Sequence, residues 1–251
     1  MSQEERFNKL IADALSTNFS GWDFSYLQGR WQGDEAAWDY SAIVESYLPD
    51  AESLLDMGTG GGEKLSALSP LPPDTHATEA WEPNLPVAKK RLEPLGIQVH
   101  HINEAEPLPF IDERFDCVIN RHEFYQPEEV YRILKTGGHF ITQQVGGAHG
   151  IDLNEWITGT RPAWDGWGLS KAHYDLHRAG FKVLNTGEDF GEMRFLDIGA
   201  VVYYLKVISW QIPDFDVDTY RPQLMALHQR IEKDGFLPIG IHYFWLETLK
   251  E

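Results

Sequence analysis

The chain has 251 residues, 42% hydrophobic, 13% aromatic and 24% charged, enough to bury a sizeable core in one large domain or two small ones, and no apolar run is long enough to span a bilayer. Its net charge of −18, from 39 acids against 21 bases, disfavours a nucleic-acid or anionic-membrane partner, the densest basic window being only Lys89, Lys90 and Arg91. A single cysteine, Cys117, excludes an intrachain disulfide and a cysteine-based structural zinc site, and the acidic opening from Met1 to Phe7 shows no secretory signal, so a reducing cytoplasm is the expected compartment.

Residues 2–17 place Phe7, Leu10, Ile11, Ala14 and Leu15 on one helical stripe, and Ser2 with Glu5 forms a capping-box pattern. Residues 18–33, with Trp22, Phe24, Tyr26 and Trp31 among glycines, read as a packed loop. A second helix is expected from an Asp34 cap to just before Pro49, burying Trp38, Ile43, Val44 and Tyr47. From Ser53 onward short apolar runs (53–57, 75–79, 97–102, 115–120 and 139–145) alternate with helical segments (62–68, 83–95 and 127–135), with Gly96 and Gly137–Gly138 as stops. This alternation predicts an α/β fold with a doubly wound, mostly parallel sheet. A long glycine- and tryptophan-rich excursion (146–168) follows, then a helix (170–179) and a strand from Phe181. Residues 197–208 have strand-like composition but a helical length and an Asp197 cap, and are read as a helix. A helix over 218–233 precedes a last strand, 239–246, expected antiparallel at the sheet edge.

The most informative stretch runs from Leu54 to Lys64: a strand ending in Asp56, glycines at 58, 60 and 62, then a helix start. Such a turn lets the backbone approach a ligand closely. A phosphate-cradling loop requires Gly-Lys-Ser/Thr, and Glu63 breaks it; Glu63 also stands where a dinucleotide fingerprint has its last glycine, facing a pyrophosphate. A ligand without phosphate remains. Glu79, 21 residues beyond Gly58, falls where a carboxylate accepts hydrogen bonds from both ribose hydroxyls. The acidic loop around Glu104 follows the third strand, placed to read an adenine amino group, and a cationic sulfonium would be comfortable among Asp56, Glu79 and Glu104.

Asp56-x-Gly-x-Gly-x-Gly, Glu79, Glu104-Ala-Glu-x-Leu-Pro-Phe-x-Asp-Glu-x-Phe-Asp116 and Glu129-Val-Tyr-Arg-Ile-Leu-Lys-x-Gly-Gly138 together resemble the class I S-adenosylmethionine-dependent methyltransferases, nearest the type 11-like small-molecule subgroup, over residues 53–145. The resemblance implies a seven-stranded Rossmann-like sheet with its last strand antiparallel, S-adenosylmethionine as cofactor and S-adenosylhomocysteine as product. It also implies that Gly58, Thr59 and Gly60 lie against the methionine part, with Asp56 ordering the loop and meeting its amino group. Glu79 would hold the ribose, Trp81 cover the adenine, Asn103, Glu104 and Ala105 line the adenine edge, and Asn120 border the methionine moiety through its carbonyl. Pro86 and Glu82-Pro83 depart from the pattern after the second strand.

Methyl transfer needs a positioned nucleophile, excluded water and sometimes a base. His122 and Glu123, just past the fourth strand, are the catalytic candidates, with His149 next. Asn120-Arg121-His122-Glu123 is not the Asn-Pro-Pro-aromatic turn of exocyclic base methylation, and Cys117, mid-strand, reads as core and not as a nucleophile. No metal is called for. Trp22, Tyr26, Trp31, Trp156, Trp164, Trp167 and Trp210 suggest an aromatic cap over a planar or apolar small acceptor, or staples fastening long excursions to the sheet. Arg30 and Arg161 are candidate carboxylate binders. The expectation is a single domain with a helical cap (1–50), a cofactor-binding half (51–145) and a substrate-side lid (146–169 and 208–238). Rival readings are an RNA or protein methyltransferase and a non-catalytic cofactor-binding protein.

Overall fold

The computed structural model describes residues 1–19, 22–103 and 105–251. Its strands are β1 (Trp31–Gly33), β2 (Ser53–Met57), β3 (Asp74–Glu79), β4 (Gln98–His101), β5 (Phe115–Arg121), β6 (Leu134–Val145), β7 (Phe181–Phe195) and β8 (Leu237–Lys250). Its helices are α1 (Gln3–Ser16), α2 (Tyr40–Glu45), α3 (Glu63–Ala67), α4 (Leu85–Leu92), α5 (Pro127–Ile133), α6 (Ile151–Thr158), α7 (Leu169–Ala179), α8 (Ile198–Val207) and α9 (Arg221–Asp234). All strands join one sheet in the order β1-β7-β8-β6-β5-β2-β3-β4. From β4 to β6 the pairings are parallel, and β8 runs antiparallel between β6 and β7.

The doubly wound sheet with an antiparallel last strand is therefore present, with two differences. β8 lies inside the sheet, not at its edge, because β7, running from Phe181 to Phe195, pairs along the edge opposite β6. An eighth strand joins the expected seven: Trp31, Gln32 and Gly33, within the stretch read as a loop, pair with Phe195, Arg194 and Met193. Three residues are too few to show a period in sequence.

Asp34 does not cap a helix. Its carboxylate accepts the Glu192 N–H at 3.1 Å and its own N–H donates to the Glu192 carbonyl at 3.1 Å, which fastens the edge strand. The cap is Asp39, accepting from the Ala42 N–H at 3.2 Å, and α2 is correspondingly shorter. Gly137 and Gly138 sit inside β6, α5 having already ended at Ile133, and the excursion after β6 contains α6. The ambiguous segment is helix α8, capped by Asp197, which accepts the Ala200 N–H at 2.9 Å. Nine of its ten residues are buried, and a helix apolar on every side carries no amphipathic period.

Alternation along the strands divides the core. Leu54, Ala77, Cys117, Ile119 and Ile141 pack with Val44, Leu65 and Leu92 on one face. Leu55, Val118, Phe140 and Leu246 pack with Val130, Ile133 and Leu176 on the other. A third cluster fills the β1–β7 end, where Phe7, Ile11 and Ala14 of the capping-boxed α1 meet Val201 and Leu224; Leu15, expected on that stripe, is exposed. Among the described residues no helix is long and apolar enough to cross a membrane.

Phe7 is fully buried, so Phe7→Ala is expected to cost about 3–5 kcal/mol in guanidinium unfolding. An unchanged midpoint would show that α1 lies outside the cooperative core.

Candidate functional site

β2 is flanked by β3 on one side and β5 on the other, so the chain leaves the C-terminal ends of β2 and β5 in opposite directions and opens a crevice between them. The glycine loop forms its floor. Gly58 and Gly60 have φ of 69° and 62°, and a Cβ at these positions would stand 2.3 Å from Glu123 Cγ and 2.9 Å from Trp22 Cδ1. The Thr59 N–H donates to the Thr78 carbonyl at 2.9 Å, tying the loop to β3. At the far end Arg91 bonds the Gly61 carbonyl and the exposed Glu63 carboxylate.

Two acids end the central strands inside the protein, Asp56 at 8% and Glu79 at 3% exposure. Glu79 accepts the Trp81 N–H at 2.7 Å and the Asn84 Nδ2–H at 3.3 Å, and burial nevertheless raises its pKa. Burial pushes Asp56 up to about 7, against the Thr59 hydroxyl and Arg121, which lower it, while the Glu79 charge adds to the rise. The Ile102 N–H donates to the Glu79 carbonyl at 3.1 Å, which places Asn103 just past that contact, and the Ala105 N–H donates to Asn103 Oδ1 at 3.1 Å. Glu104 lies outside the described residues. Trp81 is exposed at the crevice, with ring centroids of Phe19 and Trp22 at 5.9 and 6.2 Å, and Trp210 is 5.9 Å from Trp22.

At the end of β5, Asn120 is fully buried, its Oδ1 accepting from Thr142 Oγ1 at 3.0 Å and Gln144 Nε2 at 2.6 Å while its Nδ2 has no partner. Its carbonyl accepts the Tyr40 hydroxyl at 3.0 Å. His122 follows in a left-handed conformation (φ 60°), its ring stacked on Tyr243 at 5.6 Å and 11°. The indole N–H of Trp38 can only donate, and it donates to Gln143 Oε1 at 2.8 Å. Gln143 therefore turns its Nε2 donor to His122 Nε2, 2.9 Å away, which makes Nε2 an acceptor and leaves the ring proton on Nδ1. The surrounding protein, with Arg121 and His149, holds this imidazole well below its usual pKa although one side stays accessible to solvent. Glu123 lies with its side chain across Gly58.

Other candidates sit elsewhere. Arg30 grips Asp197 through two bonds of 2.8 and 2.6 Å, and Arg161 pairs with Glu155 at 2.9 Å, so neither is available as a carboxylate receptor. His149 is buried and pushed down to about 4 by burial and by His242. Of the cap aromatics, Trp22 meets Trp81 and Trp210 meets Trp22, whereas Tyr26, Trp31 and Trp156 pack on the α1–α8 core and Trp167 packs on Phe244. Cys117 is core, its thiol pushed up to about 12 by burial. Trp38, Tyr40, Arg121, Gln143 and Tyr243 join the site without having been singled out, because only tertiary packing assembles them.

Comparison with known proteins agrees with this geometry. Residues 55–142 match the family model described as a methyltransferase domain. The chain is 32% identical over 112 residues to the biotin biosynthesis bifunctional protein BioHC of Teredinibacter turnerae, an overlap covering 38% of this chain and 20% of that protein, so it spans about a fifth of that relative's length. A candidate methyltransferase from Bacillus halodurans shares the fold with a TM-score of 0.60 at 17% identity, over 84% of this chain and 98% of the other. Haemonchus contortus phosphoethanolamine N-methyltransferase 2, solved with phosphomonomethylethanolamine and S-adenosylhomocysteine, superposes with a TM-score of 0.51 at 16% identity, over 84% of this chain and 52% of that one.

Long-range 1H–15N spectra should show His122 in the Nδ1–H tautomer and neutral at its ordinary pKa of 6.5, and Trp38→Phe should erase the tautomer preference. A protonated Nε2 in the wild type would refute the relay. Asp56, raised from 3.8 to about 7 on folding, costs stability once ionised: the cost is absent below pH 3.8 and complete above about 7. Asp56→Asn should therefore gain on the wild type as pH rises through that window, by up to roughly 4 kcal/mol at about 1.4 kcal/mol per pKa unit, and a pH-independent difference would refute the assignment.

Proposed function

We propose that this chain, whose residues 55–142 match the methyltransferase-domain family, is a class I methyltransferase that moves a methyl group from S-adenosylmethionine to a small organic acceptor and releases S-adenosylhomocysteine. The observation that carries this reading is the pair of buried acids, Asp56 and Glu79, flanking a loop whose left-handed glycines leave no room for side chains. Glu79 offers two oxygens to ribose hydroxyls, Trp81 a ring face to adenine, and Asn103, Glu104 and Ala105 the adenine edge. Asp56 and the Asn120 carbonyl take the methionyl ammonium, while the bare backbone of Gly58, Thr59 and Gly60 admits the thioether chain. The bound sulfonium supplies an activated methyl group, so the protein's own task is positioning and drying the site.

His122, with Nε2 occupied by Gln143, serves as a hydrogen-bond donor through Nδ1 to the acceptor. Proton removal, where the acceptor requires it, falls to Glu123, which lies across Gly58. Trp22, Trp81 and Trp210 cover the crevice, and the segments 146–169 and 208–238 form the substrate-side lid. A small acceptor, not a nucleic acid, is favoured by the net charge of −18.

Titration calorimetry is expected to show binding of S-adenosylhomocysteine, weakened by about 1–3 kcal/mol in Glu79→Ala. Affinity should rise with pH through about 7 as Asp56 ionises, and this rise should vanish in Asp56→Asn. A wild-type protein that binds neither cofactor form sinks the proposal. Binding without single-turnover transfer of labelled methyl to any component of a cell extract would instead favour a non-catalytic cofactor-binding protein.

A further inference from the structure

Arg121 is the last residue of β5, and it shares a sheet face with Asp56. In the parallel pairing of β2 with β5, Asp56 is level with Ile119, and Arg121 lies two residues further along the same side of its strand, one step nearer the open crevice. Its charge is close enough to act on Asp56, Tyr40, His122 and Tyr243. Its backbone pairs with Gln143 in the sheet, yet among the described residues its guanidinium enters no ion pair and no hydrogen bond. By contrast Arg30, Arg91, Arg114 and Arg132 are each held by a carboxylate. A half-buried guanidinium normally recruits such a partner, since its desolvation is otherwise uncompensated.

The neighbours explain why no protein group fills that role. Tyr40 and Tyr243 are phenols whose pKa values burial raises, His122 is neutral, and Asp56, on which the Arg121 charge acts, forms no ion pair with it. The crevice floor thus presents a buried anion and an unpaired cation, side by side but separated. An α-amino acid is the complementary object: its ammonium and carboxylate are joined through one carbon and need opposite partners held apart. We propose that Arg121 binds the α-carboxylate of the cofactor's methionyl end and, with Asp56, clamps that end as a zwitterion. The inference rests on the cofactor reading above. It replaces Arg30 and Arg161, both committed to ion pairs, as the carboxylate receptor.

The test compares two ligands by titration calorimetry: S-adenosylhomocysteine, and 5′-methylthioadenosine, which keeps the nucleoside and thioether but lacks the amino-acid end. Arg121→Gln should weaken S-adenosylhomocysteine roughly 10- to 100-fold, the range for a lost charge-assisted hydrogen bond, and leave 5′-methylthioadenosine unchanged. Arg121→Lys, which keeps the charge but loses the fork, should fall between. Undiminished S-adenosylhomocysteine binding by Arg121→Gln overturns the clamp and turns attention to an anionic acceptor as the partner of Arg121. Equal loss of both ligands also overturns it, marking Arg121 as a scaffold for the whole crevice. A wild type that binds neither ligand overturns the cofactor reading itself, a result distinct from both.

Discussion

The reversal of strand order at β2 is the constraint on which the rest of the structure depends. With β3 on one side and β5 on the other, all five residues of β2 are buried, Asp56 included. A carboxylate in that position is costly unless something compensates it, and within the protein only the Thr59 hydroxyl and the field of Arg121 lower its pKa. The same reversal forces the chain to leave β2 through a turn tight enough to need left-handed glycines. Crevice, acid and glycine loop are thus three consequences of one topological choice.

Around that point the recurring sequence blocks divide into those that face the crevice and those that hold the sheet. Arg132 bonds the Phe110 and Leu108 carbonyls at 2.7 and 3.1 Å and pairs with Asp112 and Glu129, while Glu129 accepts the Leu108 N–H at 3.0 Å. This network lashes the loop before β5 to α5. Asp116 accepts the Ser53 N–H at 2.9 Å and pairs with Lys135 at 2.8 Å, setting β2, β5 and β6 in register. Much of the resemblance in the second half of residues 53–145 is therefore architecture. The residues proposed to meet the cofactor and the acceptor lie in β2, at the end of β3 and after Asn120.

Local order in the site comes from donor and acceptor logic as much as from packing. Trp38 has one hydrogen to give, Gln143 must turn its oxygen toward it, and His122 is left with one possible tautomer. Three residues from three distant segments thereby set the protonation of a side chain whose backbone is itself held at a positive φ. Such a relay has no signature in spacing, which is why His122 reads in sequence as a base and in the fold as a hydrogen-bond donor.

The strand–helix alternation, the glycine spacing and the acids at 56 and 79 were legible because each is a local rule: period, turn geometry and the end of an apolar run. The edge strand at Trp31, the Asp39 cap and the interior place of β8 were not, because each depends on which surface lies opposite. Asp34 and Asp39 are the same residue type five positions apart, and only the presence of Glu192 beside one decided which became a cap. Helix α8 is read from its length and its Asp197 cap alone, because all-round burial removes the amphipathic period. Sequence alone determined the sheet class and the ligand-facing loop, since these are written in residues close along the chain. The tertiary structure decided which charges find partners, committing Arg30 and Arg161 to ion pairs and leaving Arg121 beside Asp56, because pairing depends on distance in space and burial makes every unmade pair count.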